Sequence, residues 1–271
     1  MKTRIISGAV MIALLIAVLF GGSYYPVIIT VFLALLNIIA SYELLGNAAG
    51  IKSKVSLTGA AVYSAAAVFL ISGYGEKIFS GAFGFKELGV IYCVFAAIMS
   101  LVNHSRYGVK EIAMTVGMPI VLSFAFGSLE GILNHSHGIY YLLLLLNFSS
   151  ICDMGAYFVG STCGKHKLCP AISPKKTVEG AVGGIVSSLV ITAVLALCFG
   201  TASKLPSLLL LTVPFCILGM VGDLFASAIK RGAGIKDYGK LIPGHGGVLD
   251  RVDSILMIAP VLYMFINAGA M

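Results

Sequence analysis

The sequence predicts an all-α polytopic membrane protein with about nine transmembrane helices, and three observations lead to that prediction. Hydrophobic residues make up 59% of the 271 residues and charged residues only 11%, whereas a soluble domain has roughly 45–50% and about 25%. The mean hydropathy is +1.01. The apolar runs are long and unbroken, whereas the strands of a membrane barrel would alternate apolar and polar residues. Helices are therefore the expected spanning elements.

Each predicted span is an apolar run of about 20 residues, the length that crosses the hydrocarbon layer. Short breaks that contain Gly, Asn, Ser, Lys or Pro separate the runs. The expected spans lie near residues 5–22, 25–45, 55–72, 87–102, 112–130, 138–160, 178–200, 206–229 and 253–269. This order leaves two long connections, at residues 161–177 and 230–252.

The distribution of Lys and Arg predicts the orientation of the spans. With the N-terminus inside, nearly all of the 18 basic residues fall in inside segments, and only Lys77, Lys86 and Lys204 fall outside. Because basic residues are enriched in cytoplasmic loops, we expect a cytoplasmic N-terminus and an outside C-terminus. The connections 161–177 and 230–252 then share the cytoplasmic face. The net charge of +7 is explained in this way without a nucleic acid partner.

The polar residues in and beside the spans divide the chain into two parts. Residues 1–137 are predicted to form a scaffold of transmembrane helices and to supply any oligomer contacts. Residues 138–271 are predicted to form the catalytic region, because acidic residues lie in or beside its spans. These residues are Asp153, Glu179, Asp223, Asp250 and Asp253. The spacing of Gly180 and Gly184 indicates helix packing and leaves a homodimer open.

The first polar block, residues 152–180, contains a carboxylate within a predicted span. Asp153 lies about two turns before the expected end of that span, where a charge is costly and usually functional. Lys175 and Lys176 precede the next helix, whose N-terminus would suit a phosphate group. Thr177 is the predicted N-cap of this helix. The alternatives are an aspartate satisfied by a neighbouring helix and two lysines that only mark the cytoplasmic side.

The second polar block, residues 222–253, gathers acids, bases and glycines. Asp223 and Ser227 share a helix face because they are four residues apart. Asp223 near one helix end and Asp250 at the next helix start are expected to face each other, and close carboxylates repel unless a cation joins them. Mg²⁺ prefers carboxylates together with substrate phosphates, and glycines let backbone amides approach a polyphosphate. The block therefore predicts a nucleotide site at the membrane surface. The alternative is a solvated loop in which Asp250 only caps the last helix.

The segment from Ser227 to Asp253 resembles the signature of the CDP-diacylglycerol synthases, also called phosphatidate cytidylyltransferases. It contains Ser-Ala-Ile-Lys-Arg, Lys-Asp, Pro-Gly-His-Gly-Gly and Asp-Arg-Val-Asp at the spacing of that family. The first block is similar to the family in Asp-Met-Gly-Ala-Tyr-Phe-Val-Gly and Ile-Ser-Pro-Lys-Lys-Thr-Val-Glu-Gly. The resemblance covers residues 153–253. Ser161 stands where the family usually has Arg or Lys, and Cys163 where it usually has Phe.

This resemblance implies transfer of the cytidylyl group from CTP to phosphatidic acid, with Mg²⁺, at the cytoplasmic face of a bacterial-type cell membrane. The products are CDP-diacylglycerol and pyrophosphate. The implied metal ligands are Asp223, Asp250 and Asp253, and a second metal or a monovalent cation stays open. The implied catalytic residues are Asp223, Asp250, Lys230, Arg231 and His245. The implied substrate-binding residues are Asp153, Lys175, Lys176, Ser227, Lys236, Gly246, Gly247 and Arg251. Asp153 either orients a lysine or contacts the nucleotide.

Two other functions stay open at this point. A CTP-dependent kinase for a polyprenol or similar lipid alcohol would need the same metal and nucleotide but would release CDP. An ion or solute transporter would place Asp153 and Asp223 on a pathway through the membrane. Transporters of this kind are commonly built from repeats, and the sequence shows no obvious repeat. The predicted clustering of acids at one face also disfavours transport.

Overall fold

The computed structural model describes residues 2–72 and 83–269, with the backbone alone for residues 2–4. Lys77, which the sequence assigns to the outer side, lies outside the described residues. Most of the described chain is helical. The helices are α1 (Lys2–Tyr24), α2 (Val27–Tyr42), α3 (Lys54–Ile71), α4 (Phe85–Val102), α5 (Val109–Leu133), α6 (Gly138–Leu146), α7 (Cys152–Cys163), α8 (Val178–Cys198), α9 (Leu205–Gly232) and α10 (Leu249–Asn267). A π-helical turn at Glu43–Ala48 extends α2, another at Asn147–Ile151 joins α6 to α7, and a 3-10 turn at Ala202–Lys204 precedes α9.

Eight segments of the described helices are long and apolar enough to cross a membrane. They are Ile5–Tyr24, Val27–Ala48, Lys54–Ile71, Phe85–Val102, Val109–Leu133, Gly138–Cys163, Val178–Cys198 and Ala202–Gly232. Large apolar side chains such as Ile12, Val62 and Leu210 stay exposed on them, as lipid-facing residues do. The prediction of an all-α polytopic membrane protein is confirmed.

The predicted ninth span is a helix, but it starts earlier than expected. Helix α10 begins at Leu249, whereas the sequence placed the start of the span near residue 253. Its first two turns therefore include Asp250, Arg251 and Asp253. Because it carries three charged residues, α10 is not among the eight apolar segments given above. The physical reason for the early start is the set of carboxylates that accept hydrogen bonds from its first amides, described below.

The chain forms two compact units that do not follow a single cut in the sequence. The first unit comprises Met1–Asn134 and Ala233–Val252, and the second comprises His135–Gly232 and Asp253–Met271. The sequence assigned the connection 230–252 to the catalytic half. In the structure, most of that connection packs with the N-terminal helices.

Buried amides join the helices within each unit. In the first unit, Asn37 of α2 donates from Nδ2 to the Ser64 carbonyl at 3.0 Å and to Ser123 Oγ at 2.9 Å. In the second unit, Asn147 donates from Nδ2 to the Ser188 carbonyl at 3.0 Å, and Ser188 Oγ donates back to the Asn147 carbonyl at 3.2 Å. Such bonds between helices hold a bundle together where no water competes for them.

Gly180 and Gly184 let α8 pack against α7 within one chain. A Cβ at Gly184 would lie 2.5 Å from the Cys152 carbonyl oxygen, and a Cβ at Gly180 would lie 2.7 Å from that of Ala156. The prediction that these glycines serve helix packing is confirmed. Because α7 occupies this small-residue face, Gly180 and Gly184 give no support to the predicted homodimer.

A β-hairpin lies in the connection that the sequence treated as a loop. Strand β1 (Lys167–Cys169) pairs antiparallel with β2 (Ser173–Thr177), and β2 leads directly into α8. Thr177 Oγ1 accepts a hydrogen bond from the Gly180 amide at 3.1 Å, so the predicted N-cap is confirmed.

Substitution of Gly184 by Ala is expected to lower the free energy of unfolding by about 1–3 kcal/mol, because the added methyl group meets backbone atoms of α7. The matched control is Gly117→Ala in α5, where a Cβ would meet no atom within 4 Å. This control should be neutral or stabilising by up to about 1 kcal/mol, since Ala favours a helix over Gly. Unfolding titrations in mixed micelles measure both values. Equal effects of the two substitutions would contradict the packing role of Gly184.

Candidate active site

Lys176 joins two carboxylates in the second unit. Its Nζ lies 2.6 Å from Asp223 Oδ2 and 3.9 Å from Asp153 Oδ1. The three side chains come from β2, α9 and the first turn of α7. The side chains of Lys176 and Asp223 are only 23% and 26% exposed, so water and salt screen their attraction less than that of a surface pair. Of the two predicted roles of Asp153, this arrangement favours the orientation of a lysine.

The hairpin and the first turn of α8 fix the backbone that carries Lys176. Glu179 accepts the amide hydrogen of Lys165 at 3.0 Å and that of His166 at 3.2 Å. The His166 ring also lies against this carboxylate, with Nδ1 2.6 Å from Oε1. These contacts join the residues just before β1 to the first turn of α8, and the Thr177 cap joins the end of β2 to the same turn. Lys176 is therefore presented from a short rigid element.

A third carboxylate of the second unit lies near Asp223. Helices α9 and α10 approach closely at Gly222, where a Cβ would lie 2.8 Å from Met257 Cβ and 3.2 Å from Ser254 Cα. Asp253 is near enough to Asp223 and Lys230 to interact with both charges. Lys230 is only 9% exposed, in the last turn of α9. Two acids and one lysine of α9 and α10 thus lie close enough to interact.

In the first unit, a tight turn organises residues 233–248, which we call the signature loop. Ile242 and Gly246 exchange backbone hydrogen bonds of 2.9 and 3.1 Å around the Pro-Gly-His sequence. Gly246 has φ +87°, and a Cβ there would also lie 3.0 Å from Asp250 Oδ2. His245 Nδ1 lies 2.7 Å from Ser7 Oγ of α1. The turn therefore depends on glycine at position 246 and is held against the first helix.

Asp250 shapes the signature loop from the first turn of α10. Its Oδ2 accepts the amide hydrogen of Tyr238 at 2.7 Å and that of Gly247 at 3.0 Å. The bond to Gly247 runs backwards from a residue of the first turn, as in half of a capping box. Asp250 thus lies inside the helix and does not precede it as the predicted cap would. The amides of Gly246 and Gly247, predicted to contact phosphate, donate here to Ile242 and Asp250.

Glu43 is a residue of this region that the sequence reasoning missed. It is 3% exposed, lies on the π-helical turn after α2, and accepts the amides of Val248 at 3.0 Å and Leu249 at 2.9 Å. The sequence held a signal for it, because Glu43 is an acid inside an apolar segment that is long enough to span a membrane. The sequence predicted reactive acids only in residues 138–271, and Glu43 lies outside that part of the chain.

The remaining predicted residues are mostly at the surface. Ser227 on α9 is half-buried. The exposed basic residues are Lys175, Arg231, Lys236 and Arg251. The second unit thus brings together Asp153, Lys176, Asp223, Lys230 and Asp253, and the first unit holds Lys236, His245, Gly246, Gly247, Asp250 and Arg251.

The donor groups of the second unit suit a hard divalent cation in kind. Asp223 and Asp253 offer carboxylate oxygens of the type that Mg²⁺ binds together with substrate phosphates. In the described part of the chain, no three His, Cys, Asp or Glu side chains are grouped to hold a metal by themselves. The positive charge next to Asp223 in this structure is the Lys176 ammonium.

Comparison with known proteins identifies similar chains. The model of the family described as "Cytidylyltransferase family" matches residues 2–268. A phosphatidate cytidylyltransferase of Staphylococcus saprophyticus is 44% identical over 127 residues, which cover 47% of this chain and 49% of the relative. One of Bacillus subtilis is 49% identical over 118 residues, 42% of each chain. One of Staphylococcus aureus strain COL is 41% identical over 127 residues, with the same 47% and 49% coverage. The chain matches about half the length of these curated relatives or less.

A double-mutant cycle should find a larger coupling energy between Lys176 and Asp223 than between Lys176 and Asp153, because the first ion pair is 2.6 Å long and the second is 3.9 Å long. For the first pair we expect about 0.5–3 kcal/mol in the free energy of unfolding, the range for contacting residues. The substitutions are Lys176→Met, Asp223→Asn and Asp153→Asn, singly and in pairs. Lys175→Met, at the neighbouring exposed position, is the control and should show no coupling to Asp223. Equal couplings for Lys175 and Lys176 would contradict the ion pair.

Proposed function

Because the chain belongs to the cytidylyltransferase family, whose model matches residues 2–268, we propose that it transfers the cytidylyl group of CTP to phosphatidic acid. The products are CDP-diacylglycerol and pyrophosphate. The observation that carries the proposal is the Lys176 cluster, in which one lysine joins two acids that lie within apolar segments long enough to span a membrane. Asp153 and Lys176 lie in motifs by which the chain resembles phosphatidate cytidylyltransferases, Asp223 lies within residues 153–253 that the resemblance covers, and the relatives above carry that name.

In the proposed reaction, a phosphate oxygen of phosphatidic acid attacks the α-phosphorus of CTP. A new P–O bond forms, and the bond to the β-phosphate breaks as pyrophosphate leaves with its electron pair. The attacking phosphate is an anion near neutral pH, so the reaction needs no strong general base. Catalysis of such a displacement consists mainly of positioning and charge neutralisation.

Basic residues are proposed to bind the phosphates of the two substrates. Lys176 and Lys230 lie among acids in the second unit. The exposed residues Lys175, Arg231, Lys236 and Arg251 are proposed to bind phosphate as well. His245 is proposed to donate a hydrogen bond to a phosphate, and Ser227 to contact the substrate. Asp153 is proposed to keep the Lys176 ammonium oriented before the nucleotide binds.

Mg²⁺ is the proposed cofactor, and Asp223 and Asp253 are the residues of the second unit proposed to hold it. When bound, the ion supplies positive charge that neutralises the polyphosphate. Asp250 stays a predicted ligand from the sequence, and its Oδ2 already accepts two backbone amides.

The membrane setting follows from the distribution of charge. We propose that the N-terminus, the hairpin and the signature loop face the cytoplasm, because most Lys and Arg residues fall on that side of the predicted topology. The protein would then lie in the cytoplasmic membrane. Phosphatidic acid would reach the site from the bilayer, and CTP would reach it from the cytosol.

The proposed reaction predicts that the purified chain moves label from CTP, labelled at the α-phosphate, into lipid when phosphatidic acid and Mg²⁺ are present. Pyrophosphate should appear in equal amount. Asp223→Asn should lower the rate by about 100-fold or more, because charge stabilisation at the reacting phosphates is lost. The control is Glu111→Gln, which removes a half-buried acid that accepts the Gly108 amide at 2.8 Å. Release of CDP with an added lipid alcohol would point to a lipid kinase instead, and the absence of either product would overturn both readings.

Removal of divalent metal should abolish this activity, and added Mg²⁺ should restore it. In Asp253→Asn, the Mg²⁺ concentration for half-maximal activity should rise by about tenfold or more. Loss of a residue that only supports a metal ligand already costs about tenfold in metal affinity, and loss of a ligand should cost at least as much. The Glu111→Gln variant should keep the wild-type requirement. An unchanged Mg²⁺ requirement in Asp253→Asn would exclude Asp253 as a ligand.

A further inference from the structure

Glu43 connects the two sequence segments that form the first unit. It lies in the N-terminal half of the chain, 205 residues before Val248, yet its carboxylate is buried against the start of α10. Oε1 accepts the Val248 amide and Oε2 accepts the Leu249 amide. None of the ion pairs among the described residues includes Glu43, so backbone amides supply the hydrogen bonds of its carboxylate.

These amides are the ones that a helix start leaves without partners. The first four N–H groups of a helix have no acceptor inside it, and the N-terminus carries partial positive charge. At the start of α10, three successive amides donate to carboxylates: Gly247 and Val248, which precede the helix, donate to Asp250 and Glu43, and Leu249, its first residue, donates to Glu43. Glu43 therefore acts as a cap that another helix provides.

The signature loop is shaped to admit this carboxylate. A Cβ at Gly247 would lie 2.5 Å from both oxygens of Glu43, and a Cβ at Gly239 would overlap the same carboxylate. The π-helical turn that carries Glu43 also presents Asn47, whose Nδ2 donates to the Tyr238 carbonyl at 2.6 Å. One turn after α2 thus contacts the loop at two points. π-helical turns are often found at functional sites.

We propose that Glu43 is a positioning residue for the proposed reaction, which holds the signature loop and the first turn of α10 in place. Helix α10 carries Asp250 and Arg251 in its first turn, so the position of its start sets the position of these groups. This inference rests on the proposed function for its effect on catalysis. Its structural part, the anchoring of the loop, can be measured without substrate.

The test compares Glu43→Gln with Glu130→Gln in the full-length chain. Glu130 is a matched control because it is also a buried acid of the first unit, at 1% exposure, and it accepts hydrogen bonds from Thr30 and Asn134 away from the loop. Glutamine keeps the size of the side chain but replaces one acceptor with a donor that faces an amide. Gly247→Ala is a third variant, in which the added methyl group should displace the Glu43 carboxylate.

Hydrogen exchange and steady-state kinetics are measured on the same samples, with rates normalised to the folded fraction. In Glu43→Gln and Gly247→Ala, we expect faster exchange in peptides that cover residues 238–252. We also expect kcat to be lower by about tenfold or more and KM for CTP to be higher, because misplacement by about 1 Å can cost as much as 100-fold in rate. Loss of folded molecules alone would not change KM. Glu130→Gln should change neither the exchange of this region nor KM.

Unchanged exchange at residues 238–252 in Glu43→Gln would overturn the anchoring, whatever the activity of the chain. Faster exchange with wild-type kcat and KM would overturn the positioning role. A wild-type chain that makes no CDP-diacylglycerol would refute the proposed function and with it the catalytic effect, and exchange would still decide whether Glu43 anchors the loop.

Discussion

A polar group inside a hydrocarbon layer must find its partner within the protein, and this constraint explains much of the structure. The Nδ2 groups of Asn37 and Asn147 meet it by donating to backbone carbonyls and hydroxyls of neighbouring helices. Lys176 meets it with Asp223, and Glu43 meets it with the amides of Val248 and Leu249. Each pairing fixes one element against another, so the same bonds that satisfy buried groups also determine where the reactive groups lie.

The candidate site of the second unit places its acids next to lysines. Acids from α7 and α9 converge on one lysine, and Asp253 lies near both Asp223 and Lys230. A cluster of this kind can exchange partners at modest cost, because an incoming anion and cation replace interactions of the same type. Charges already oriented by the protein stabilise a phosphoryl-type displacement without reorganisation during the reaction.

The sequence predicted the helical membrane class, the Thr177 cap and the packing role of Gly180 and Gly184, because each has a local pattern. Periodicity and hydropathy report on helices, and a cap or a glycine pair depends on neighbours within a few residues. The β-hairpin and the start of α10 at Leu249 were not predicted. The hairpin strands have only three and five residues, too short to show an alternating pattern. The start of α10 depends on a distant partner, since its first amide binds Glu43.

The sequence predicted which types of residue form the candidate site, but it predicted less well which residues contact each other. The contact of Lys176 with Asp223 joins a strand to a helix far along the chain, which spacing alone cannot reveal. Asp250 appeared as a cap or a ligand, and the structure shows it binding two amides of its own loop. Glu43 was not predicted because it stands alone in an apolar segment, far in sequence from the two charged blocks, although a single acid within a span is itself a signal of function.

The interleaving of the two units has a consequence for how such a chain can be inherited and recombined. The polypeptide leaves the second unit after Gly232 and returns to it at Asp253. A crossover between related genes anywhere from residue 135 to residue 232 would separate the codon for Glu43 from those for Gly239 and Gly247. A chimaera would keep the fit only if both parents share the acid and the glycines. Substitutions in the two sequence segments of the first unit must therefore stay compatible with each other, although the segments are distant in the gene.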